Sequence, residues 1–172
     1  KDNKVSNIGI CDSYNLCGAL EFAEKISKSG THPIIGTQIN FSLENSMGKL
    51  PLFASTSQGY KNLIKLSSKS YLDSDEKTDA HCKISEFKNI NEGLILLSGN
   101  HYGFFGKLFK LNKLKQVEVA IKELKNIFKD RFYLEIQRHN EVGEDNYENF
   151  IIKLSELNQI PLIATQEVFY IK

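Results

Sequence analysis

Short, nearly continuous apolar runs alternate along this chain with stretches whose apolar residues recur every three or four positions, and that alternation narrows the fold more than any other feature. Ile8 to Cys11 is followed by Leu16, Ala19, Leu20, Ala23 and Ile26, spaced as on one helix face, with Gly30 where a helix would stop. Ile34 to Phe41 and Leu50 to Ala54 read as strands joined by a polar connection through Asn45 and Gly48. Tyr60, Leu63, Ile64 and Leu66 then repeat helically to about Tyr71. Asp73 to Cys82 is acidic and aperiodic, so it is expected to be an exposed loop. A short helix around Ile84 to Phe87, a strand over Leu94 to Leu97 and a glycine-bearing turn from Gly99 to Gly106 come next. Leu114, Val117, Ile121, Leu124 and Phe128 mark a long amphipathic helix, Phe132 to Ile136 a strand, Tyr147 to Leu157 another helix, and Pro161 to Ala164 a last strand. Such alternation predicts parallel β/α units in which helices cover the strands on both faces. The chain shows no repeat, low-complexity tract or linker, so one domain is expected.

Each apolar run leads to a polar residue. The series is Asp12, Gln38, Asn100 with His101, His139 and Glu167. In a parallel barrel these positions converge, because all strands point the same way and the residues past their C-terminal ends share one face. A metal-hydrolase centre there needs a cluster of neutral imidazoles and carboxylates around a divalent cation. Only Asp12, His139 and Glu167 are good donors, with His101 a fourth candidate. The pattern predicts an enzyme fold that has lost its chemistry.

Charge and cysteine content close off other classes. A formal net charge of +1 gives no global pull toward nucleic acid or a membrane surface. No apolar stretch approaches the roughly 20 residues of a membrane span, and Lys1 to Lys4 do not lead into a secretion signal, so a soluble cytoplasmic protein is expected. Cys11, Cys17 and Cys82 are odd in number and lack C-x-x-C spacing, which points to free thiols in a reducing compartment.

Five ordered blocks carry a family resemblance. Ile8-Gly9-Ile10-Cys11-Asp12-Ser13-Tyr14 running on to Phe22, followed by His32-Pro33-Ile34-Ile35-Gly36, resembles the polymerase-and-histidinol-phosphatase (PHP) domain of bacterial DNA polymerase III alpha subunits. Gly59 to Leu63 with Leu66-Ser67-Ser68, Asn91 to Gly99, Tyr133 to His139 and Pro161 to Thr165 are similar to that family in order and spacing. The resemblance implies an α/β fold, a distorted seven-stranded β/α barrel. It also implies that residues 1–172 are a piece of the PHP domain, lacking its first strand and truncated near its C-terminus. The whole subunit would be a DNA-directed DNA polymerase, a nucleotidyltransferase whose Mg2+ lies in a palm outside this chain. Implied partners are the thumb and palm of the same subunit, a proofreading exonuclease subunit, and DNA through the parent protein, with no membrane.

Family members with an intact site bind metals and hydrolyse phosphoesters, and this sequence departs from their pattern. The resemblance places Ser13 at a ligand histidine, Gln38 at a glutamate, Asn100 at a cysteine, and Lys49 at a histidine found in some members. The late Asp-x-His element reads Glu167-Val168-Phe169, while Asp12 and His139 match unchanged. Gln for Glu removes a charge, Ser or Phe for His removes a lone pair, and a rim lysine repels a cation. The expectation is therefore a domain with no catalytic residue, no cofactor and no metal of its own, serving as support and docking surface in DNA replication. The alternative is a metal-dependent phosphoesterase, a 3'-5' proofreading exonuclease or pyrophosphatase, completed by upstream residues.

Plainer roles stand beside these. Asp12 or Ser13 suits a turn or helix N-cap. His139 is either part of a residual polar cluster or an ordinary surface histidine. His32, His81 and His101 read as structural or exposed, and Lys115, Lys122, Lys125 and Lys129 as a solvated helix face. Glu135, set between Leu134 and Ile136, is expected to face the interior and to need an Arg or Lys partner. Without its first strand, the barrel should be open beside the Ile8 strand, with an unpaired edge and exposed apolar surface.

Overall fold

A computed structural model describes residues 5–74, 77–166 and 168. Seven strands form one sheet: β1 (Asn7–Ser13), β2 (His32–Leu43), β3 (Ser46–Ala54), β4 (His81–Lys83), β5 (Leu94–Leu97), β6 (Phe132–Ile136) and β7 (Leu162–Ala164). The helices are α1 (Ala19–Lys28), α2 (Ser57–Leu72), α3 (Phe104–Lys110), α4 (Leu114–Phe128) and α5 (Glu144–Asn158), with a 3-10 helix at Ile84–Lys88.

The order across the sheet is β1-β2-β3-β5-β6-β7. The long strand β2 serves two neighbours on one side. Residues 32–38 pair with β1, and Asn40 to Ser42 pair with β4. The expectation of uniformly parallel strands is corrected here, because β3 runs antiparallel to both β2 and β5. A hairpin produces the reversal: Leu43 pairs with Ser46, and Glu44 adopts a left-handed φ of 51° in the two-residue turn. The remaining pairs, β1 with β2, β2 with β4, β5 with β6 and β6 with β7, are parallel.

One face of the sheet is the core. Ile39, Phe41, Leu50, Leu52, Leu94, Leu96, Phe132 and Leu134 are buried there with Leu63 and Leu66 of α2 and Val117, Ile121, Leu124 and Phe128 of α4. Phe87 ties the end of α4 to β2. Its ring stacks on Phe41 at 4.3 Å and meets Phe128 edge-on at 4.9 Å. In α2 the buried stripe is Gly59, Asn62, Leu63, Leu66 and Ser70, whereas Tyr60 and Ile64 face outward.

The other face is concave and only half filled. Register places Phe53 beside Ile95, Leu97 beside Tyr133 and Glu135 beside Ile163 on this side. Phe53, Ile95, Tyr133 and Ile163 are half-buried, and Ile34 is exposed. The sheet is open, with β1 and β7 as its edges among the described residues. The expected exposure beside the Ile8 strand is present: Ile8 is 43 % exposed, and α1 buries only Ala19, leaving Leu20 on the surface. No helix among the described residues is long and apolar enough to cross a membrane.

Candidate functional site

The mouth of the curled sheet gathers side chains from six strands. Ser13 ends β1, Gln38 lies on β2, Asn100 follows β5, Gln137 and His139 follow β6, and Thr165 follows β7. Because β3 is reversed, it reaches the same place with its first half, delivering Lys49. Gln38, Lys49, Pro51, Asn100, Glu135 and Gln137 are among the residues lining a cleft of about 170 Å3.

Lys49 spans the strand between itself and β1. Its Nζ donates to Ser13 Oγ at 3.0 Å and sits 5.0 Å from the centre of the Tyr14 ring. Tyr14 is held beneath it with φ of 68°, its N–H donating to the Gln38 carbonyl at 2.7 Å. On the far side Gln137 is the hub. Its Nε2 donates to Glu135 Oε1 at 2.8 Å and to Thr165 Oγ1 at 2.9 Å, and its Oε1 accepts from Asn100 Nδ2 at 3.1 Å. His139 Nε2 lies 3.2 Å from that same oxygen, and Gln166 Nε2 lies 3.3 Å from His139 Nδ1. Both ring nitrogens of His139 are thus engaged by amide side chains.

Glu135 is buried on the concave face as its alternation implied, and its carboxylate accepts from the Gln137 amide and the Thr165 hydroxyl. Its backbone N–H donates to Ser98 Oγ at 2.9 Å.

The structure brings Ser13, Gln38, Asn100 and His139 to one mouth, and leaves Asp12 outside it. Alternation along β1 turns Asp12 to the helix side, where its Oδ2 crowds Gly18 so closely that an added methyl would lie 3.1 Å away. The cap role for Asp12 or Ser13 is also corrected, because α1 is preceded by Gly18 and the turn is made by Asn15, whose Oδ1 accepts from Cys17 N at 2.9 Å. Glu167 and Phe169 lie outside the described residues. Among the described residues, no group of three or more His, Cys, Asp or Glu side chains is disposed to hold a metal ion.

Sequence reasoning passed over the acidic latch that shapes one rim. Glu144, in the first turn of α5, accepts the backbone N–H groups of His139 at 2.8 Å, Asn140 at 2.9 Å and Glu141 at 3.4 Å. Those bonds, the one from His139 foremost, hold its carboxyl below the usual glutamate range. Glu141 is thereby placed to meet buried His101 Nε2 at 3.0 Å and the Tyr102 hydroxyl. His81 and Ser74 interact at the sheet's other end, with His81 Nδ1 2.9 Å from the Asp79 carbonyl. The only signal for the latch in the sequence was a glycine, Gly143, followed by two acids.

The sign of the pH dependence follows from the depressed carboxyl. The latch stabilises the loop fully above the ordinary glutamate range and loses that contribution as pH falls through the lowered value. Glu144→Gln is therefore expected to lower the melting temperature at neutral pH and to flatten its fall on acidification. Melting curves of both proteins between about pH 7 and pH 3 check this; parallel acid limbs would refute it.

Comparison with known proteins gives three concordant results. A family model described as the PHP domain matches residues 1–139. The DNA polymerase III subunit alpha of Rickettsia bellii is 39% identical over 170 residues, covering 98% of this chain and 14% of that protein. Those of Caulobacter vibrioides and Vibrio cholerae are each 34% identical, over 98% and 95% of this chain and 16% and 14% of their own length. The chain thus spans about one seventh of the length of the curated relatives it matches. A solved structure from Bifidobacterium adolescentis, assigned as a metal-dependent phosphoesterase, superposes with a TM-score of 0.59 at 9% identity, covering 95% of this chain and 77% of that one. At that identity the likeness speaks for the fold alone.

Proposed function

Because the chain belongs to the PHP domain family, we propose that it is the PHP region of a replicative DNA polymerase III alpha subunit, catalytically silent in itself. On this reading the parent is a cytoplasmic DNA-directed DNA polymerase. Residues 1–172 support its thumb and palm and offer a docking surface, including to a proofreading exonuclease subunit. Polymerisation chemistry and its Mg2+ belong to a palm beyond this chain.

The observation that carries catalytic silence is the donor set at the mouth. The family implies a metal centre, and the residues present do not fit one. Lys49 brings a fixed positive charge to Ser13 Oγ, which would repel a divalent cation by on the order of several kcal/mol. Gln38, Asn100 and Gln137 supply amides, and both ring nitrogens of His139 already face amide partners. Glu135 is the one acid lining the cleft among the described residues. Such a set supplies too little charge to hold a cation and acidify its water.

Elemental analysis of the purified full-length subunit tests this. Zinc, manganese and iron are expected below stoichiometric levels, and hydrolysis of bis(p-nitrophenyl) phosphate is expected to stay at background when Mn2+ or Zn2+ is added. A stoichiometric metal, with phosphodiester hydrolysis that EDTA abolishes, would restore the phosphoesterase reading.

A further inference from the structure

Away from the mouth, α3 and α5 enclose an open groove of about 760 Å3. Its floor is the ring of Phe109 stacked on Phe150 with centroids 4.7 Å apart, backed by the buried Tyr147 ring at 5.7 Å. Both phenylalanines are only half-buried. Asn146, Phe150 and Lys153 fall on one stripe of α5, four and three residues apart, and Leu157, 81 % exposed, continues it. Val142, fully exposed, stands at the N-terminal end of the groove.

The charges along this groove are of one sign. Lys110 and Lys153 line it, and no Asp or Glu does. Neither lysine enters an ion pair among the described residues; Lys110 Nζ instead lies 4.1 Å from the Tyr102 ring centre. Since the whole chain carries a formal charge of only +1, this is a local feature.

We propose that the groove between α3 and α5 is a docking site for an acidic peptide segment of a partner protein, one carrying a large apolar side chain flanked by aspartates or glutamates. The apolar residue covers the Phe109–Phe150 floor, and its acidic neighbours meet Lys110 and Lys153. This is a helix-lined groove of the kind that takes an apolar anchor, with its rim charges setting partner choice. A nucleic-acid strand fits less well. Two cations neutralise few phosphates, and the phenylalanines stack on one another instead of offering free faces to bases. The inference rests on the docking role proposed above and names the chemistry of what docks.

The test uses the full-length subunit and fluorescence anisotropy. The probes are a short fluorescein-labelled peptide with a Leu-Phe pair among aspartates, the same peptide with serines for Leu-Phe, one with lysines for the aspartates, and oligo-dT. The first is expected to bind at least about tenfold more tightly than the two altered peptides, which corresponds to 1.4 kcal/mol; oligo-dT, which a polymerase holds outside this groove, is read only for its response to charge reversal. Lys110→Glu with Lys153→Glu is expected to weaken it at least tenfold without shifting the melting temperature, because both side chains are at the surface. A tenfold loss of oligo-dT affinity on the charge reversal, indifference of the peptide to it, or no peptide binding would overturn the proposal. Exonuclease subunit is titrated in parallel. If it binds while the peptide does not, the groove assignment falls and the docking role stands; if neither binds, both fall.

Discussion

Gly59→Ala is expected to cost the fold about 3–5 kcal/mol, enough to leave much of the population unfolded. A Cβ at position 59 would lie 1.9 Å from the Gly93 carbonyl oxygen and 2.6 Å from its carbon. The obstacle is backbone, and it is pinned: the Gly93 oxygen accepts from Ser55 N at 2.9 Å and from Ser55 Oγ at 3.0 Å. The helix cannot retreat either. Thr56 caps α2 by accepting from Gly59 N at 3.0 Å, and Asn62 Nδ2 donates to the Glu92 carbonyl at 2.9 Å. Gly30→Ala is the control. That glycine has φ of +80° but nothing within 4 Å of an added methyl, so only the left-handed backbone penalty of about 1–2 kcal/mol applies. Urea midpoints of the two variants measure the difference, and equal losses would refute the steric account.

Arg131→Met is expected to cost about 2–4 kcal/mol, because the half-buried guanidinium ties two carbonyls that would lose their donor. Arg131 Nη1 donates to the Asn91 and Leu94 carbonyls, each at 2.6 Å, and Nη2 to Asn91 Oδ1 at 3.1 Å. Its carbon lies 5.6 Å from the Phe128 ring centre, so the same group ties the end of α4 to the start of β5. Arg138 provides the contrast. It forks onto Glu148 with bonds of 2.9 and 2.6 Å, yet it stands in solvent, and Arg138→Ala is expected to change stability little. Chemical denaturation of the two single variants decides the matter.

Elements whose identity rests on local pattern were legible. The run Phe132 to Ile136 and the spacing from Leu114 to Phe128 coincide with β6 and α4 as observed. Direction was not legible, because an alternating run reads the same either way; the reversal of β3 depends on a turn at Glu44 that has no glycine signature. α3 starts inside the stretch from Gly99 to Gly106, whose glycines predict a turn. Gly106 is there for close packing, since an added Cβ would lie 2.1 Å from the His101 carbonyl. β4 is three residues long and held by pairing with β2, so nothing near it in sequence could reveal it. Leu20 and Ile64 fit the apolar spacing of α1 and α2 but stand at the surface.

At the site, convergence of Ser13, Gln38, Asn100 and His139 followed from strand ends alone. The partners did not. Lys49 was read as a lost ligand at the rim, whereas its bond to Ser13 crosses from β3 to β1, a contact between residues 36 apart. Gln137 and Thr165 went unnoticed because amides and hydroxyls carry no sequence signature until their neighbours are known.

The two-residue bend at Glu44 and Asn45 acts as a switch for the chemistry of the cleft. It sets Lys49 opposite Asn40, so that the ammonium faces the mouth while Leu50, opposite Ile39, faces the core. Adding or deleting a single residue at this bend would exchange the two, driving a cation among leucines and emptying the mouth of its fixed charge. Point substitution can therefore alter the mouth one residue at a time, whereas a length change in the hairpin would invert it.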